Sequence, residues 1–249
     1  MDITSRKNEK VQHFRKLASS AAYRREQGLF VCDGRKLLDE AVQNGAVLRE
    51  ALVTEAFTGA LPAGVRVWRV TPEVMAAASP LTTPREVLFS VEARYGARGA
   101  IPAGALLLEN VQDPGNVGTM VRTANALGIP AVVFLGACAD VYAPKCVRGT
   151  MGAVFREKLL FADYADVEAA KDAGIRFVGA ALSPTAVAVG DADLTGRVVA
   201  VGNEGNGLTD RLLALCGETV IIPMQPACES LNAAAAAAIL MWEMSKCRN

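Results

Sequence analysis

The chain carries one histidine, His13, among 249 residues. A Ser-His-Asp triad, a Cys-His pair or a His-rich metal site needs an imidazole set in a pocket. His13 instead lies among Lys10, Arg15 and Lys16 in a stretch that reads as an exposed helix, so chemistry of that kind is excluded. Paired cysteines are absent as well. The six cysteines (Cys32, Cys138, Cys146, Cys216, Cys228, Cys247) form no CxxC, which predicts free buried thiols rather than a zinc knuckle, a disulfide framework or any metal site. Met1–Lys10 lacks the apolar core of a signal peptide. No apolar run approaches the roughly 20 residues that span a bilayer, so a soluble, cytoplasmic protein without membrane partners is expected.

Net charge is missing too, because 26 basic and 26 acidic side chains cancel. No global field therefore draws nucleic acid or anionic lipid. The distribution is uneven: residues 1–35 hold eight basic against four acidic side chains, and residues 103–249 hold eleven against fifteen. A basic front end suits contact with a polyanion, with Arg15, Arg24 and Arg25 as candidates, although a solvated helix face explains the same charges.

An apolar fraction of 51% with 21% charged residues describes a folded globular chain. At roughly 150 residues per domain the length points to two modest domains. A basic helical lead-in over 5–26 precedes a strand at Leu29–Cys32 and a helix at about Arg35–Gln43, closed by Asn44-Gly45. Strands follow at Ala51–Thr54, Val65–Val70 and Val87–Ala93, with a short helix capped by Thr71 and begun by Pro72. The run YGARGAIPAG breaks every periodicity and reads as a linker near residue 100. Beyond it, strand-like runs at Ala105–Leu108, Ala131–Leu135, Arg176–Ala180, Val198–Val201 and Thr219–Ile222 alternate with helical patterns, the signature of a parallel α/β sheet. A closing helix at about Leu231–Lys246 holds six consecutive alanines, read either as compositional bias or as a face for close approach of a ligand or another backbone.

Three junctions follow strands and lead into helices, where open α/β sheets place ligands. In the first, ENVQDPGNVGTMVRTANALG, Asp113-Pro114-Gly115-Asn116 delivers a helix N-terminus. Arg122 then falls about two turns in, near the apolar face, where it needs an anionic partner or forms an ordinary ion pair. In the second, VVAVGNEGNGLTD, three glycines permit positive φ and close backbone approach. Its G-x-x-G-x-G spacing is a poor dinucleotide fingerprint, and Glu204 either takes a polar ligand group or caps the loop. In the third, IIPMQPACESLN, Ser230 and Asn232 lead into the last helix, and the serine can be a simple N-cap.

Taken in order, DPGNVGTMVRTANALG, RGTMGAVF, VGNEGNGL and IPMQPACESLNAAAAAAI resemble the signature segments of the SpoU family of RNA 2′-O-ribose methyltransferases, within the SPOUT superfamily. The likeness covers essentially all of residues 105–246, and RREQGLFVCDGRKLLDEAVQNG resembles the family's small N-terminal substrate-binding domain. The resemblance implies an α/β fold with three parts: an α+β RNA substrate-binding domain at 1–95, a linker at 96–104, and a SPOUT domain at 105–249 with a parallel sheet and a deep trefoil knot. It implies S-adenosylmethionine as cofactor, held by backbone groups at Gly202, Ile222 and Leu231, and a catalytic Arg122 surrounded by Asn116, Glu204, Ser230 and Asn232. It also implies a homodimer acting on RNA, ribosomal first and transfer RNA second. Departures are Cys32-Asp33-Gly34 for Val-Glu-Gly, Thr150 for serine, and alanines after Asn232 for Val-Ser-Val. Two other readings stand beside this one. A catalytically inactive RNA-binding module would lack the arginine or block the Gly202 loop, and a nucleotide-dependent dehydrogenase is opposed by the loop spacing.

Overall fold

The computed structural model describes residues 2–225 and 230–246. It divides the chain into two compact units that do not follow the sequence linearly. The first holds residues up to Tyr95 together with Asp140–Phe155, and the second holds Gly96–Ala139 and the chain from Arg156 onward. Cys228, Cys247 and the stretch Pro226–Glu229 of the third junction lie outside the described residues.

The first unit runs β1 (Asp2–Ile3), α1 (Glu9–Ser19), α2 (Ala21–Gln27), β2 (Leu29–Asp33), α3 (Arg35–Gln43), β3 (Leu48–Val53), β4 (Arg66–Val70), α4 (Pro72–Ala78) and β5 (Val87–Glu92). Its sheet is mixed, in the order β1-β4-β3-β5-β2, with β5 antiparallel to both neighbours. Helix α1 forms because Val11, Phe14 and Leu17 recur at three-residue spacing and all reach zero exposure. Each such burial contributes about 1.5–3 kcal/mol. Asn8 caps its N-terminus, accepting from the Lys10 N–H.

Two side chains of this unit differ from expectation. Arg24, expected among the RNA-facing cations, is buried at 3% exposure. Its guanidinium donates to Asp140 at 2.7 and 2.9 Å and to the Leu17 carbonyl at 2.8 Å. His13 is half-buried rather than exposed. Its Nδ1 lies 2.9 Å from the Tyr23 hydroxyl, and burial lowers its pKa against the opposing pull of Glu50.

In the second unit β6 (Leu106–Glu109), α5 (Pro114–Ala126) and β7 (Val132–Leu135) come first. The chain then leaves for the first unit, where α6 (Pro144–Thr150) and a 3-10 turn at Ala153–Phe155 lie. It returns as β8 (Leu159–Ala162), α7 (Tyr164–Asp172), β9 (Phe177–Ala180), β10 (Val187–Ala188), β11 (Val198–Val201), α8 (Asp210–Leu215), β12 (Glu218–Ile221) and α9 (Ala233–Lys246). All seven strands are parallel, in the order β10-β12-β9-β11-β6-β7-β8, so their carboxyl ends share one edge. β6, β7 and β11 are buried along their whole length, as apolar parallel strands covered on both faces must be. The alanine run buries Ala234 and Ala237 on α9, which packs against α5. Among the described residues no helix is long and apolar enough to cross a membrane.

Candidate active site

The carboxyl edge of the parallel sheet gathers the three junctions. Asp113 caps α5 by accepting from the N–H groups of Gly115 and Asn116 at 2.7 and 2.9 Å, and Pro114 occupies the first turn. The helix therefore starts at Pro114, three residues before the apolar periodicity shows. That cap holds Asn116 so that its Nδ2 donates to Glu204 Oε1 at 3.0 Å, across from the β11–α8 loop. From the β12–α9 junction, Asn232 Nδ2 donates to Asn116 Oδ1 at 3.0 Å. Asn232 also caps α9, its Oδ1 accepting from Ala234 and Ala235 N–H. Glu204, Asn116 and Asn232 are thus one hydrogen-bonded run drawn from all three junctions.

Glu204 also accepts from the backbone N–H groups of Gln112 and Asp113, each at 3.2 Å. Burial pushes its carboxyl pKa up, but these N–H groups and the Asn116 amide outweigh that push and hold it below the usual carboxylate range. It is an anion at neutral pH whose oxygens are already engaged.

Arg122 is exposed rather than near the apolar face, which α5 builds from Val117, Met120, Val121 and Ala124. It makes no hydrogen bond or ion pair among the described residues. Six residues past Asn116, it stands about 9 Å further along the helix axis. Among the described residues its guanidinium is thus left without a partner, on the helix that carries the polar run.

Ile222, Ser230 and Leu231 line one cleft of about 190 Å³ with Ala180, Leu182 and Leu240, at the end of β12. Gly202 does not line it. Its role is visible elsewhere: a Cβ at Gly202 would stand 2.2 Å from the Gly207 carbonyl carbon, so the loop's own backbone demands glycine there. Asn203 and Gly207 close that loop with two backbone hydrogen bonds, at 2.9 and 3.0 Å. The close approach expected for a ligand is thus already made within the chain.

Three supporting groups escaped the sequence. Asn203 Nδ2 donates to the Asn110 carbonyl at 2.9 Å, and its Oδ1 accepts from Gly205 and Asn206 N–H. Asn110 sits at φ 54 and accepts from Ala137 N–H at 2.7 Å, an αL role that asparagine tolerates. Glu109, fully buried at the end of β6, accepts from the Tyr164 hydroxyl at 2.5 Å and from the Thr209 hydroxyl and N–H at 2.7 and 2.8 Å. Those donors satisfy a carboxylate that would otherwise be costly to bury, and they fasten the first junction to the second. The polar pair Glu109-Asn110 directly after an apolar strand was the available signal. Among the described residues no group of three or more His, Cys, Asp or Glu could hold a metal ion.

Residues 104–242 match the SpoU rRNA Methylase family, and residues 8–88 match the MRM3-like substrate binding domain. The chain belongs to the SpoU rRNA methylase family. Among curated relatives, the 23S rRNA (guanosine(2553)-2'-O)-methyltransferase RlmP of Bacillus subtilis is 31% identical over 97% of this chain and 98% of its own. The 23S rRNA (uridine(2479)-2'-O)-methyltransferase of Streptomyces viridochromogenes is 30% identical over 97% and 90%. Among solved structures, the AdoMet-bound rRNA methyltransferase of Sinorhizobium meliloti superposes with a TM-score of 0.86 at 27% identity, covering 99% of this chain and 97% of that one. The SpoU methyltransferase AviRb of Streptomyces viridochromogenes, in complex with AdoMet, gives 0.84 at 28%, covering 97% and 98%.

Proposed function

We propose that the protein transfers a methyl group from S-adenosylmethionine to a ribose 2′-hydroxyl of RNA, ribosomal RNA in the first place. The observation that carries this reading is the run Glu204–Asn116–Asn232, which ties three strand-end loops into one polar face, with Arg122, unpaired among the described residues, on the same helix as Asn116. Relatives named for 23S rRNA 2'-O-methylation and AdoMet-bound structural neighbours support it.

The apolar cleft at the end of β12 fits the cofactor's flat, weakly polar portion. Ile222 and Leu231 would hold it through their backbone groups, and Gly202 would do so from the loop that Asn203 and Gly207 close. Bound there, S-adenosylmethionine supplies an electrophilic sulfonium methyl. Arg122 offers a planar fork to an RNA phosphate and to the charge that grows on the attacking oxygen. A guanidinium stays protonated in proteins, so Arg122 stabilises charge rather than accepting the proton. Glu204 is held ionised and keeps Asn116 oriented, and the proton leaves late to water. Ser230 adds a hydroxyl at the rim.

Residues 1–95, joined in one unit by Asp140–Phe155, are read as the RNA-binding part, 96–104 as linker and the rest of 105–249 as the SPOUT domain with its knot. The chain acts as a cytoplasmic homodimer, paired through α9, where Ile239 and Trp242 are exposed at 37% and 53%. The test is transfer of labelled methyl to rRNA followed by alkaline hydrolysis. A 2′-O-methyl leaves an uncleaved dinucleotide, and label recovered on a base overturns the reading.

A further inference from the structure

The first unit has a groove of about 430 Å³ whose walls carry four cations, Arg35, Lys36, Arg85 and Arg148, beside the apolar side chains of Leu81 and Met151. Arg148 and Met151 come from Asp140–Phe155, the stretch that leaves the parallel sheet to join this unit. That stretch is firmly fastened. Asp140 receives the Arg24 guanidinium and the Tyr95 hydroxyl, the latter at 2.9 Å, and Tyr142 packs on Phe30 with ring centres 4.8 Å apart.

Two of these cations have no ionic partner among the described residues. Lys36 and Arg148 are exposed and make no hydrogen bond or ion pair among the described residues, and Arg35 reaches Asp39 only at 4.0 Å. The acidic groups of the lining are Asp33 and Glu86. Asp33 is engaged by the Ser79 hydroxyl at 2.5 Å and the Arg85 N–H at 3.1 Å, and its charge acts on Arg85 rather than on Lys36 or Arg148. Arg35 and Lys36 occupy the first turn of α3, where no acidic residue and no side-chain cap is present. Cations at that end oppose the helix dipole, an arrangement that an incoming anion relieves. Met151 holds φ 51 at the end of α6 with its side chain 39% exposed. Its left-handed backbone closes α6, with its N–H donating to the Arg148 carbonyl, and so fixes the side chain at the rim of the groove.

We infer that this groove seats one nucleotide of the RNA substrate outside the target ribose, its phosphate held by Arg35, Lys36, Arg85 and Arg148 and its base laid on Met151 and Leu81. The inference rests on the RNA-methylating function proposed above. Arginine forks match phosphate oxygens in pairs, and apolar side chains beside them match an unstacked base, the combination by which single-stranded RNA is recognised. A membrane surface would need a flat or protruding cationic face instead of a concave one.

The test compares K36Q/R148Q with K171Q/R176Q, a control that removes the same charge from exposed positions on α7 and just before β9, at the amino edge of the sheet. Affinity for a 23S rRNA fragment is titrated at several salt concentrations, with S-adenosylmethionine affinity and Tm measured alongside. K36Q/R148Q should bind RNA about tenfold more weakly, with a salt slope shallower by about 1.5, while cofactor affinity, Tm and the control pair stay at wild-type values. Met151→Gly should weaken RNA binding without lowering Tm. An unchanged slope in K36Q/R148Q, or an equal loss in the control pair, overturns the groove while wild-type methyl transfer leaves the proposed function standing. Wild-type protein that neither binds nor methylates RNA overturns both.

Discussion

The Asn232 amide donates to the Asn116 side chain at 3.0 Å, joining the residue that caps α9 to the first turn of α5 across 116 positions of the chain. Asn116 passes the connection on to Glu204, so it can satisfy both partners only as an amide with one donor and one acceptor engaged. Asn116→Ala should lower kcat/KM about 10- to 100-fold, with little change in Tm because the run is solvent-exposed. Asn116→Asp should be worse than alanine, since it sets a second carboxylate against Glu204 and removes the amide donor that Glu204 now accepts from. Steady-state methyl transfer ranks the two variants, and an aspartate variant more active than the alanine one would refute the assigned orientation.

Glu157 gives a stability prediction with a definite sign. Burial raises its carboxyl pKa to about 7, only partly offset by the Asn125 amide at 3.3 Å. A carboxyl raised in the folded state loses stability as pH climbs from its unfolded value near 4.5 to about 7, and the deficit is constant above that. Glu157→Gln removes the penalty and keeps an acceptor for Asn125. Discounted for solvent screening to about 1 kcal/mol, the gain is roughly 2–4 °C in Tm at pH 8 and nothing at pH 4. Thermal melts at the two pH values decide it.

Much of this was legible in the sequence for local reasons. Pro72, Asp113-Pro114 and Thr209 announce helix starts through their own side chains, and β6, β7 and β11 are apolar enough to stand out. The polar residues Asn116, Glu204 and Asn232 were legible as members of three strand-to-helix junctions, but their joint role came only from the family resemblance, since nothing in their spacing says that three distant loops meet. The excursion of Asp140–Phe155 into the first unit was illegible, because it depends on Arg24, an unremarkable surface-type residue by sequence, finding Asp140 more than a hundred positions away. β8 is only four residues long and follows the charged run Arg156-Glu157-Lys158, so no periodicity marks it.

Arg24 itself supplies the next prediction. Removing one partner of a buried ion pair leaves the other charge stranded and destabilises by about 3–5 kcal/mol. Arg24→Ala should therefore lower Tm by roughly 10 °C. Arg15→Ala, on the exposed face of α1, should leave Tm unchanged and flatten the salt dependence of RNA binding. Equal Tm for the two variants would place Arg24 back on the surface.

The exposed Ile239 and Trp242 lie three residues apart on α9 and so share one side of the helix. If that side pairs two chains, Trp242→Glu should shift the light-scattering mass from twice the chain mass to that of a single chain at micromolar concentration, with far-UV circular dichroism intact. A wild-type mass of one chain counts against the dimer outright.

Arg122 separates an enzyme from a module that only binds RNA. Its side chain is exposed and without a partner among the described residues, so Arg122→Ala should not disturb folding. Cofactor affinity should stay near wild type, because the cofactor contacts assigned to Gly202, Ile222 and Leu231 are backbone contacts. Turnover should fall by about 100- to 1,000-fold, the usual loss when a group that stabilises charge only in the transition state is removed. Arg122→Lys should recover little of it, since a point charge on a flexible stem cannot span phosphate and attacking oxygen together. The two variants are read by transfer of labelled methyl to rRNA and by cofactor titration of the same samples. Retention of most of the transfer rate in Arg122→Ala would remove the arginine from the mechanism, and a parallel loss of cofactor affinity would move its role from catalysis to binding.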